Sequence, residues 1–190
     1  MVTMTVEELA VRSTGPMTRA ELDALPHDGR RHELIDGVHI VTPAPVFRHQ
    51  SLVGGLHLTL QAAKPAGFVV LMAPFDVVFD EYNVMEPDVL VAPRSDFTTK
   101  DLPKAPALAI EVLSPSTRRY DLILKRSRHE EAGTASYWVV DPEGPTLIAW
   151  ELVDGRYVEV AHVSGDEAFD AELPFPVRIV PNELLEPEDR

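Results

Sequence analysis

Apolar residues along this chain fall into short runs of strand length, broken by two stretches in which they recur at helical spacing. From Thr18, the segment TRAE is a capping box, with Glu21 three residues after Thr18; it opens a short helix that Pro26 ends. RRHELIDGVHIVTP reads as a hairpin, with strands over 32–35 and 38–42 and a tight Asp36-Gly37 turn. Pro43 and Pro45 close it. Leu52, Val53, Leu56, Leu60 and Ala63 then keep helical spacing, which predicts a helix over about 46–64 packing one face on a sheet. The Gly54-Gly55 pair in its middle costs roughly 2 kcal/mol of propensity relative to alanine, so a strand or partner helix must approach the backbone there.

Residues 68–72 and 75–79 are apolar, β-branched runs split by Ala73-Pro74, and 89–92 completes a meander. Asp76 and Asp80 alternate with apolar residues and read as its solvent face. The polar loop 94–106 has the length to act as a lid or to contact substrate. After the apolar run 107–113 comes a turn at Pro115, then a helix over 117–132 that Ser116 or Thr117 can cap and Gly133 can end. A strand over 135–140, a turn at Asp141-Pro142-Glu143-Gly144, and a hairpin of 147–153 and 157–163 joined by Asp154-Gly155 follow. Phe169, Leu173, Phe175, Val177 and Ile179 belong to short strands and turns covering one edge. The predicted architecture is α/β: a mixed central sheet of about six strands flanked by helices, with a C-terminal β-hairpin. One domain over 16–185 is expected, between a flexible N-terminus (1–15) and a flexible tail (186–190).

Composition narrows the chemistry. A chain of 190 residues, 45% hydrophobic, suits one globular domain. No apolar run approaches the roughly 20 residues of a membrane span and the first residues lack a signal-peptide layout, so a cytoplasmic protein is expected. Without cysteine, disulfides and thiolate metal sites are excluded, and a metal would take oxygen or imidazole ligands, which suits Mg²⁺ or Mn²⁺ better than structural zinc. The net charge of −14 is awkward for a protein gripping long nucleic acid. Either the substrate-facing side is locally basic or the ligand is not duplex DNA. Arg118, Arg119, Lys125, Arg126 and Arg128 form one local excess, broken by Asp121 alone.

Glu111 stands out within its apolar run, because a charge at the end of a buried strand is costly unless a metal or a cation offsets it. Asp88 follows Pro87 at the start of another apolar strand. Two such acids converge only if the strands are neighbours, and they are then stable chiefly around a divalent cation. The plainer alternative is a frayed strand end, solvated or paired with arginine. Asp121, Lys125 and His129, four apart, share a helix face that reads equally as a solvated row. Glu33 has a salt bridge to Arg30 or Arg31 as its bland role, and His49 a core or surface position.

These residues resemble the PD-(D/E)xK nuclease superfamily and, within it, the Uma-two family of restriction-endonuclease-like proteins. The resemblance rests on RRHELIDG, Pro43, Pro45 and His49, EPDVLVAP, IEVLSPST, Asp121 with Lys125, and YWVVDP, in the family's order over roughly residues 18 to 150. It departs from the superfamily pattern at Leu113, which stands where the usual lysine would point. The resemblance implies that Lys125 supplies that ammonium from the following helix. It further implies that Asp88, Glu111 and the carbonyl of Val112 hold Mg²⁺ or Mn²⁺, with Glu33 close by. His49 or Arg118 would position the phosphate, with Arg119 and Asp121 also on the substrate side. The expected activity is metal-dependent endonucleolytic hydrolysis of nucleic acid, DNA rather than RNA, by a homodimer, the commonest oligomer. An endonuclease fold kept for binding or regulation would also fit Leu113 and the acidic charge; a small acidic interaction protein with merely ion-paired carboxylates is the third reading. On the enzyme reading, Asp88→Ala or Lys125→Ala abolishes Mg²⁺-dependent cleavage and leaves the fold intact.

Overall fold

Strand periodicity and turn chemistry resolve into three sheets, of six, four and two strands, in the computed structural model, which describes residues 15–26, 28–114 and 118–186. In chain order the first half contains α1 (Arg19–Asp23), β1 (Arg31–Ile35), β2 (Val38–Thr42), α2 (Phe47–Ala63), β3 (Phe68–Met72), β4 (Val77–Val78), β5 (Val84–Met85) and β6 (Val89–Pro93). The second half contains β7 (Leu108–Val112), α3 (Arg126–Ala132), β8 (Ser136–Asp141), β9 (Thr146–Val153), β10 (Arg156–Ser164), β11 (Phe169–Ala171) and β12 (Val177–Ile179). A six-stranded mixed sheet runs β10-β9-β8-β7-β6-β3, and a four-stranded one runs β2-β1-β5-β4. In the larger sheet only β7 and β8 pair in parallel, the chain crossing between them through α3, as a parallel connection requires.

Local chemistry explains the turns. Asp36 and Gly37 take φ of 53° and 73°, and Asp154 and Gly155 take 50° and 78°, the left-handed conformations a two-residue hairpin needs. Thr18 and Glu21 form the capping box of α1. The run 75–79 departs from expectation: it contributes only Val77 and Val78, and to the smaller sheet, while β3 pairs directly with β6. The loop 94–106 is no lid. Leu102 is fully buried against Val77, Leu90 and Ala92, and Asp101 is held by Arg19 and Thr98, so the segment is pinned at its middle, and none of its residues lines the groove described below.

The larger sheet separates its side chains by alternation. On β7, Leu108, Ile110 and Val112 face the cluster containing α2, whereas Ala109 and Leu113 join Tyr137 and Val139 on the other side. β11 and β12 lie in the α2 layer, where the Phe169 ring meets Trp138 edge-on at 5.6 Å; they cover that face rather than a sheet edge. On the opposite side the chain is helical from Arg118, is wound as a π-helix over Tyr120–Lys125, and continues as α3 to Gly133, whose φ of 87° ends it. The Pro115 turn and the Ser116 or Thr117 cap lie outside the described residues. The row Asp121, Lys125 and His129 is buried, not solvated.

Of the two glycines in α2, one explains the helix's composition. A Cβ on Gly55 would sit 2.2 Å from the carbonyl oxygen of Leu184, whereas one on Gly54 would meet nothing within 4 Å. The close approach is therefore a short C-terminal turn, neither strand nor long helix. Gly54→Ala is expected to stabilise the protein by up to about 1 kcal/mol through helix propensity, and Gly55→Ala to destabilise it by more than that through backbone collision. Urea denaturation of the two variants checks the contrast.

Candidate active site

Register brings the two isolated acids together. Val89 pairs with Ile110 and Leu90 with Ala109, so the residue before β6, Asp88, lies across from Glu111. Arg31 and Glu33 are two apart on β1 and share one face. Glu86 is likewise two before Asp88. Lys125 enters from the last turn of the π-helix.

Two cations tie these acids into one network. The Lys125 ammonium lies 2.9 Å from Glu33 Oε1, 3.1 Å from Glu111 Oε1 and 3.6 Å from Asp121 Oδ1. Arg31 donates to Asp88 Oδ1 at 2.7 Å and to the carbonyl of Glu86, and it lies 3.6 Å from the carboxylates of Glu33 and Glu86 and 3.9 Å from Glu111. The other oxygen of Asp88 accepts the Val112 N–H at 2.8 Å and faces His49 Nε2 at 3.2 Å. Glu33 Oε1 also accepts the Glu86 N–H at 2.8 Å. All five carboxylates and Lys125 are buried.

Burial and charge pull these groups in opposite directions. Burial alone would raise Asp88, but the hydrogen bond from His49 and the charge of Arg31 win and hold it well below the usual carboxylate range. Glu33 is likewise lowered: Lys125, Arg31 and the Glu86 N–H outweigh its burial. Burial prevails at Glu111, raised well above the ordinary value with Asp121 and Asp88 adding repulsion, and at Glu86, pushed up to about 7. Lys125 is raised against its burial by Glu111 and Glu33, so it stays an ammonium.

The site opens into a groove of about 1310 Å³ that reaches Asp88, Glu111, Val112, His49, Arg118, Asp121 and Lys125. Glu33 sits beneath it, joined through Lys125. Of the residues expected on the substrate side, Arg119 is exposed and lies outside the groove lining, whereas Asp121 lines the groove as a buried partner of Lys125. Val112 contacts the acids through its N–H. Arg31 and Glu86 are the members that sequence reasoning missed. Their signal was the i, i+2 spacing to Glu33 and to Asp88, which places each pair on one face of an extended chain.

Five carboxylates against two cations, with two of the acids raised, leave negative charge that a hard divalent ion would offset. Glu86 Oε2 is buried without a hydrogen-bond partner, which fits the same need. Among the described residues no three acid or histidine side chains are grouped so as to hold a metal ion, and Arg31 and Lys125 stand between the acids. A carboxyl whose folded pKa exceeds its unfolded value loses its proton more easily on unfolding, so above the ordinary glutamate range its charge subtracts from stability. Glu111→Gln is therefore expected to leave the metal-free melting temperature at neutral pH unchanged or raise it by about 2–4 °C. Lys125→Met strands Glu33 and Glu111 and should cost roughly 3–5 kcal/mol, more than the sequence alone leads one to expect. Thermal and urea denaturation read both.

Comparison with known proteins bears on the family and the fold. The model of the Uma2 family, described as "Putative restriction endonuclease", matches residues 19–182. The crystal structure of a putative nuclease belonging to DUF820 from Anabaena variabilis superposes with a TM-score of 0.69 at 21% identity, covering 89% of this chain and 97% of that one. At that identity the likeness shows a shared fold. The comparison with curated proteins found no match. With a family match extending over most of its length, from the first helix to the C-terminal turn, the chain belongs to the Uma2 family of putative restriction endonucleases.

Proposed function

We propose that this protein is a metal-dependent endonuclease that hydrolyses phosphodiester bonds in nucleic acid, DNA in preference to RNA. The observation that carries the reading is the meeting of Asp88, Glu111, Glu33 and Lys125 at the base of one groove. Asp88 and Glu111 would hold Mg²⁺ or Mn²⁺. When bound, such an ion polarises a phosphate oxygen and lowers the pKa of a coordinated water. Lys125, fixed as an ammonium, orients the attacking water or stabilises charge developing on phosphorus. Glu33 holds Lys125 in place. His49, in the groove lining, donates from Nε2 to Asp88, and its ring would position the phosphate beside the acids. Arg118 lies on the same wall.

One observation favours a second reading. Arg31 and Lys125 already neutralise much of the acid cluster, and Leu113 is packed into the apolar group of Ala109, Tyr137 and Trp150 where the superfamily lysine would stand. That arrangement suits an endonuclease fold retained for binding.

Purified protein incubated with labelled DNA and RNA in Mg²⁺ or Mn²⁺ separates the two. The enzyme reading expects cleavage that Asp88→Asn and Glu111→Gln each reduce by roughly 10²-fold or more. It also expects Mn²⁺ to raise the melting temperature of the wild type but not of those variants. Nucleic acid bound without cleavage, together with no Mn²⁺ stabilisation, supports the binding reading instead.

A further inference from the structure

The groove above the acids has two unlike walls. One carries the site. The other is apolar, built from Val41, Pro43, Pro45, Val46, Met72 and Pro74, and of these Val41, Val46 and Met72 are 41%, 69% and 42% exposed. Phe47, next to Val46 at the start of α2, is 71% exposed. Side chains of this kind held open beside a polar site mark a surface that expects an apolar ligand face.

Cations in the groove are few and already engaged. Arg31 and Lys125 are bound into the acid network. Outside it, Arg30 lies 3.7 Å from Asp28, Arg48 donates to the carbonyl of Pro142 at 2.6 Å, and Arg118 donates to Asp141 at 2.7 Å. Gripping duplex DNA typically takes about 6–10 phosphate contacts. With a chain charge of −14, this groove can answer only a few phosphates. Thr42 and His49, both in its lining, each keep a polar atom, Oγ1 and Nδ1, that is shut from solvent and has no hydrogen-bond partner among the described residues.

We propose that the groove takes a single unpaired nucleic-acid strand, with one or two bases laid against the apolar wall and the adjoining phosphate at the acids. The protein then acts on unpaired strands, flaps and frayed ends in preference to internal duplex. This deepens the nuclease reading and rests on it. Bases offer flat apolar faces only when unpaired, and they can be sandwiched by apolar side chains at little cost once no partner strand must be removed.

The test uses fluorescent oligonucleotides of one sequence as single-stranded DNA, single-stranded RNA, blunt duplex DNA and duplex with an unpaired tail. Binding to the full chain is measured by anisotropy in Ca²⁺ buffer, and cleavage separately in Mn²⁺. The expected result is at least about tenfold tighter binding of single-stranded or tailed probes than of blunt duplex, with a shallow salt slope of about −2, as for three phosphates on a single strand. Comparing the DNA and RNA strands identifies the sugar, and tight binding of either supports the groove's role. The double variant Val41→Ser/Val46→Ser, at exposed positions, should keep its melting temperature and lose single-strand affinity by about fivefold or more. Blunt duplex bound or cut as well as single strand, no binding of any probe, or undiminished affinity in the double variant overturns the proposal. Selective binding of single strands without cleavage sinks the nuclease reading and, with it, the action on unpaired strands, while upholding the groove's choice of a single strand.

Discussion

Everything at the centre of this molecule depends on two positive charges kept out of water. Five carboxylates from β1, the approach to β6, β7 and the π-helix could not be buried side by side on their own; Lys125 and Arg31 run between them and make the cluster tolerable. The smaller sheet is tied to the larger one through the same contacts, because Arg31 and Glu33 belong to one sheet and Asp88 and Glu111 to the other. The chemistry and the joint between the two sheets are thus one structure. Ion pairs of this kind rarely add net stability over a well-packed apolar alternative. Their retention here makes sense if the acids have a task beyond folding.

The surroundings of the site grade from ordered to open. Behind the acids is a rigid, hydrogen-bonded shell: Tyr137 donates its hydroxyl to the Asp121 carbonyl at 2.8 Å, and the neighbouring His129, packed between Phe79 and Tyr137, is kept neutral by burial and by Lys125. In front lies an open groove with a half-exposed apolar wall. Precision sits on the sheet and helix, and adaptability at the mouth, which suits a site that must hold one bond while accepting varied flanking groups.

Much of this was legible beforehand because it was encoded locally. The capping box at Thr18, the turns at Asp36-Gly37 and Asp154-Gly155, and the helical stripe of Leu52, Leu56 and Leu60 need only their neighbours to be interpreted. Asp88 and Glu111 were legible as a pair because each interrupts an apolar strand. What escaped notice depended on distant partners. A row of Asp121, Lys125 and His129 looks solvated until Glu33 and Glu111 are seen beneath it, and Arg31 looks like a surface residue of a hairpin until four acids surround it. Strands of two residues, such as β4 and β5, carry no readable period, so the predicted β1-β2 hairpin gave no sign that they would extend it into a four-stranded sheet. The polar loop 94–106 gave no hint that Leu102 would be fully buried.

The seat of Leu184 on Gly55 has a temporal implication. Cells make proteins vectorially, and α2 carries both His49 and the leucines that line one face of the larger sheet. Its contact with Leu184 joins positions far apart in the chain and can form only after the segment near residue 184 has emerged from the ribosome. A polypeptide lacking that turn would keep the acids' own strands and leave the Gly55 surface of α2 uncovered.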